Sequence, residues 1–110
     1  MAALDFESLV KQMTGAAGDV LKEKWPDARA FAKIEFQKIA HTIVGIGEML
    51  AAKQINTDQA ELLLDMQKNA SRSVMLAIEG LGILAVEEAI NAALDAVKTV
   101  VNKAIGFALI

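Results

Sequence analysis

The amino-acid sequence predicts an all-α protein, a long bent helical hairpin of three helices that assembles into a homo-oligomeric helical bundle. Three observations carry that expectation. Hydrophobic residues make up 55% of the chain, drawn mainly from Ala, Leu, Ile and Val, with four Phe, one Trp, no Tyr and one Pro. Such a mixture favours helices over sheets. Apolar residues also recur at alternating steps of three and four, the spacing of one helix face. Finally, the C-terminal half holds more apolar surface than a lone hairpin can cover.

The first helix is expected over about 3–24, where Phe6, Leu9, Met13, Ala16 and Val20 form one stripe. Gly15 and Gly18 weaken its middle, each by up to ~1 kcal/mol relative to Ala. Trp25-Pro26-Asp27 marks an elbow, because Pro disfavours helix at the residue before it and fits the first turn of the next. The second helix, 27–53, carries Ala32, Phe36, Ile39, Ile43, Ile46 and Leu50 as a seam of period 3.5, so it packs lengthwise against a partner helix. At 54–57 the pattern stops, and Asn56 or Thr57 can cap a new helix, with Asn56 and Gln59 at capping-box spacing.

From 58 to 103 there is no Pro and no run of turn residues, which predicts one helix ~70 Å long at 1.5 Å per residue. Gly80 and Gly82 are expected to bend it. A hairpin turn near residue 55 sets Glu48 near Leu62, His41 near Asn69, Glu35 near Met75, and 28–30 near 80–82. The series Leu62, Asn69, Leu76, Ile83, Ile90 and Val97 is the expected seam of this helix, and Asn69 is the polar position that can fix register. Val74 to Val86 has Glu79 as its only polar side chain and therefore needs neighbours on more than one side. With the apolar ending Phe107-Ala108-Leu109-Ile110, it predicts self-association, most simply a dimer in which two hairpins make a four-helix bundle. The interface residues expected are Phe36, Ile39, Ile43, Ile46, Leu76, Glu79, Ile83 and Ile90. Glu79 in particular needs a partner from another helix or chain, since an ionised, unpaired buried carboxylate costs several kcal/mol.

A chain of 110 residues is one domain, 1–110. Its net charge of −3 and pI near 5.1, with Lys and Arg spread along the chain, disfavour nucleic-acid binding. Lacking Cys, it has neither disulfides nor thiolate chemistry. Asp5 and Glu7 precede the first Lys, unlike a secretory signal, so the location expected is cytoplasmic. The longest uncharged stretch, 39–47, is far short of the ~18–20 apolar residues that span a bilayer.

No enzyme chemistry is expected. The Ser residues at 8, 71 and 73 lack a nucleophile elbow, the glycine pairs follow no strand, and a single His41 offers no orienting partner. Asp65, Arg72 and Glu79 lie seven apart on one helix face, and Glu35, set near Met75, should approach Glu79 from the opposing helix, which is the layout of a carboxylate metal site. The usual Glu-x-x-His pair is missing, however, and Arg72 in that row reads more simply as an ion-pair partner. No cofactor or metal is therefore expected. The five Met read as core filler. The function expected is a structural or protein–protein interaction bundle acting as a homo-oligomer. The alternatives are a membrane- or lipid-surface-active helical protein and, last, a ferritin-like metal-binding bundle. The membrane-surface reading lacks a basic polar face, because 74–110 sets Glu79, Glu87, Glu88 and Asp95 against Lys98 and Lys103.

Overall fold

The computed structural model describes residues 4–110, so the expected helix start at Ala3 lies outside the described residues. The described chain is helical, with no strand. Four α-helices follow one another: α1 (Phe6–Leu21), α2 (Trp25–Ala51), α3 (Thr57–Leu76) and α4 (Ile83–Ile105), with a short 3-10 turn, Lys22–Lys24, between the first two.

Each boundary has a local cause. Asp5 caps α1, its carboxylate accepting from the Ser8 amide at 3.3 Å. The sequence elbow is a full reversal rather than a kink. Lys22 takes the positive φ of 49° that turns the chain, and Pro26 sits in the first turn of α2. Phe6 at the start of α1 then stacks on His41 of α2, ring centroids 4.1 Å apart. Asn56 caps α3 through the expected capping box, with Gln59 N–H to Asn56 Oδ1 at 2.8 Å and Asn56 N–H to Gln59 Oε1 at 2.9 Å.

The single helix expected over 58–103 is two helices. The chain leaves α3 at Leu76, turns through 77–82 and starts α4 at Ile83. Gly80 takes φ +85°, which L-residues rarely adopt, and Gly82 is extended at φ −86°, ψ 167°. Ile78 and Leu81 bury themselves under the turn, and the Leu81 amide donates to the Ile78 carbonyl at 3.2 Å. Apolar anchoring therefore replaces the polar residues that usually mark a turn. The molecule measures 42 × 22 × 18 Å, too short for the ~70 Å rod. Its longest helix is α2, with 27 residues.

With a reversal at every connection, the helices run up, down, up and down. The most extensive packing is α1 on α4 and α2 on α3; α1 also packs on α2, and α3 touches α4 less. One chain thus makes the four-helix arrangement that the sequence reading assigned to two chains. The α2–α3 register lies within a residue of expectation: Thr42 Oγ1 meets Gln67 Oε1 at 3.5 Å.

The core is continuous across all four helices. Ala32, Phe36, Ile39, Ile43 and Ile46 of the α2 seam are fully buried, as are Met13, Met75, Val86, Val97 and Val101. Along α1 the buried line is Leu9, Val10, Met13, Ala17 and Leu21, one position round from Ala16 and Val20, because α1 faces α4 as well as α2. The C-terminal tail folds back. Gly106 takes φ +96°, Leu109 is buried, and the Asn102 side chain exchanges two hydrogen bonds with the Ile110 backbone, at 3.0 and 3.2 Å.

Two glycines in α1 make opposite predictions. A methyl on Gly15 meets nothing within 4 Å, whereas one on Gly18 comes within 3.0 Å of the Trp25 indole. Gly15→Ala is expected to stabilise the protein by about 0.5–1 kcal/mol, through helix propensity and a less mobile unfolded chain. Gly18→Ala should fall below it in thermal melts, because the indole must shift.

Candidate functional site

Five of the eight expected interface residues, Phe36, Ile39, Ile43, Ile46 and Ile90, lie inside the single-chain core. They hold α1–α4 together. The other three gather at the α3–α4 reversal and are exposed: Leu76 by 38%, Ile83 by 60%, and Glu79 in the turn itself. Glu79 therefore needs no partner within the chain. It borders an open groove with Lys24, Asp27, Phe31, Val74 and Ala77, between the start of α2 and the end of α3.

The seam read along 58–103 divides at the same point. Of its α4 members Ile90 and Val97 are buried and Ile83, the first residue of that helix, is exposed, while Leu62, Asn69 and Leu76 lie on the outer face of α3. The buried line of α3 is Ala60, Leu64, Ser71 and Met75 instead. Ser71 is accommodated because its hydroxyl accepts from Gln67 Nε2 at 3.1 Å, and Gln67 in turn faces Thr42. This short polar run between α2 and α3 left no signal in the heptad spacing.

Exposed large apolar side chains are distributed unevenly. Among the described residues, Phe31 and Ile34 on α2, Leu62, Met66, Val74 and Leu76 on α3, and Ile83 and Leu84 at the start of α4 account for all but Val100. None lies on α1. Charges flank them in order along α3: Asp58, Glu61 and Asp65 in its first half, Lys68 and Arg72 in its second. Asn69 stands between the halves, its Oδ1 accepting from Arg72 Nη1 at 2.9 Å.

The carboxylates expected to converge do not. Glu35 is buried at 2% exposure and pairs with Lys38 one turn along its own helix, at 3.0 Å. Arg72 reaches across to Glu87 of α4, Nε to Oε1 2.6 Å, rather than to Asp65 or Glu79. Among the described residues no group of three or more His, Cys, Asp or Glu side chains is placed to hold a metal ion. Nor, among them, is any helix long and apolar enough to cross a membrane.

What these surfaces define is a class by architecture alone, an up-and-down helical bundle with an apolar outer stripe on one side. No family model, curated protein or solved structure matches the chain.

Proposed function

We propose that this chain is a structural or protein–protein interaction module that works as a homo-oligomer, most simply a dimer joined through the outer face of α3. The observation carrying this reading is the exposed line Leu62, Asn69 and Leu76, spaced by seven on a helix whose core contacts are already made on its other side. Set two α3 helices antiparallel about a twofold axis at Asn69. Leu62 of each copy then meets Leu76 of the other, and Asn69 meets its own counterpart. The same operation sets the acidic first half of one helix against the basic second half of the other. That is the self-complementarity a twofold interface needs. A paired Asn there would fix the register, because any slip leaves it facing an apolar partner.

The dimer proposed here joins two folded chains rather than completing a core. Sedimentation velocity in the micromolar range should return about twice the 11.7 kDa chain mass. The double variant Leu62→Glu/Leu76→Glu should sediment as a monomer with unchanged helix content, because the twofold opposes carboxylate to carboxylate while the buried face stays intact. A wild-type chain that remains monomeric throughout that range would overturn the proposal. So would a double variant that still dimerises.

A further inference from the structure

The reversal between α1 and α2 brings together charges that the sequence keeps apart. Lys11 of α1 lies across a groove from Arg29 and Lys33, which stand one turn apart on α2. Gln37 and Thr14 share the lining, Phe6 and Val10 supply an apolar wall, and Glu7 is the one carboxylate. Three cations against one anion make a positive site on a chain whose net charge is −3. The ion pairs found among the described residues are Lys38 with Glu35 and Arg72 with Glu87, so the three groove cations are unpaired there. The Thr14 hydroxyl is buried and has no hydrogen-bond partner, although a helical Thr can donate to the carbonyl four residues back. It is a polar group left without a protein partner beside a cluster of unneutralised charge.

We infer that this groove binds an anionic amphiphile, its carboxylate or phosphate head held by Lys11, Arg29 and Lys33 and its hydrocarbon chain lying on Phe6 and Val10. Arg29 supplies a planar fork of donors suited to either head, and the lysines add point charges. The groove volume, 510 Å³, falls in the range of about 300–1,000 Å³ usual for small-molecule sites. A nucleic-acid backbone fits less well, because the cations form one cluster rather than a track and Glu7 interrupts it. An acidic peptide would use the cations but not the apolar wall. At 100° per residue, Arg29 and Lys33 lie on the flank of α2 opposite Phe31. The groove is therefore separate from the self-association face and does not depend on it.

The test is calorimetric titration of the full chain with dodecyl phosphate below its micelle concentration. Saturable binding at one site per chain is expected. Inorganic phosphate, which lacks the chain, should bind at least about tenfold more weakly. Arg29→Gln/Lys33→Gln should weaken dodecyl phosphate binding by about tenfold or more, through lost charge-assisted hydrogen bonds. All three groove cations are exposed, so this variant should keep its fold. Lys53→Gln/Lys98→Gln removes the same charge elsewhere and should bind as wild type. No saturable binding, or an equal loss in the control variant, would overturn the inference. Tighter binding of a poly-glutamate peptide would replace the amphiphile with a protein partner. Binding confined to vesicles of anionic phospholipid, with none to the free amphiphile, would replace it with a membrane surface.

Discussion

Phe36→Ala is expected to destabilise the protein by about 3–5 kcal/mol, the usual cost of emptying an aromatic site in a packed core. Phe36 is fully buried and belongs to the α2 seam with Ile39 and Ile43, in a core formed by all four helices. Neighbours on rigid helices close such a cavity only partly. Denaturant unfolding followed by circular dichroism should show a lower midpoint with little change in slope. If Phe36 instead mainly sealed an interface between chains, as the sequence reading held, the loss would depend on protein concentration. Within a single-chain core the loss should be the same in dilute and concentrated solution.

Gly80→Ala is expected to cost about 1–2 kcal/mol, because Gly80 holds φ +85° and a Cβ there meets the following carbonyl. That methyl would also come within 3.2 Å of the Lys24 amine, the far end of a flexible side chain that can move. Backbone strain is therefore the larger part. Gly82→Ala is the control: its φ is −86° and a methyl there meets nothing within 4 Å, so it carries no backbone strain and should lose less than Gly80→Ala, its cost confined to the poorer N-cap that Ala makes for α4. The cost at Gly80 has a structural outlet. A chain that straightens through 77–82 joins α3 and α4 into the long helix the apolar pattern favours, and a second copy must then supply the missing packing. The Gly80→Ala variant should accordingly show a slowly exchanging, domain-swapped fraction on gel filtration that the Gly82→Ala variant lacks.

The legible parts of this fold are those written within one helix. The α2 seam, the Asn56–Gln59 cap and the Pro26 helix start all follow from residues a few positions apart, and the α2–α3 register followed from the length of the connection between them. The 77–82 reversal was illegible for a physical reason. Its anchors Ile78 and Leu81 are apolar, so the hydropathy pattern runs through the turn without a break, and what distinguishes it from a helix interior is backbone geometry, the positive φ of Gly80 and the extended ψ of Gly82. That reversal decides how the C-terminal half packs: the inner face of α4 is covered mainly by α1, while Val74, Leu76, Ile83 and Leu84 around the turn stay exposed. The spacing of Leu62, Asn69 and Leu76 puts them on one line of α3, but only the packing of its other side on α2 shows that the line faces outward. The basic groove escaped for a different reason. Arg29 and Lys33 are visible as neighbours on α2, but Lys11 joins them only once the α1–α2 reversal sets the register between those helices.

The pairing of α1 with α4 sets a condition on how the chain is made. Helix α1 leaves the ribosome well before α4, its most extensive neighbour. Until α4 emerges, the line Leu9, Met13, Ala17 and Leu21 has only part of its cover, and α2 and α3 can dock before α1 is enclosed. Vectorial synthesis therefore presents the cell with a three-helix intermediate bearing an open apolar trough. Apolar surface exposed in this way is prone to aggregate, and prompt arrival of α4 is its protection.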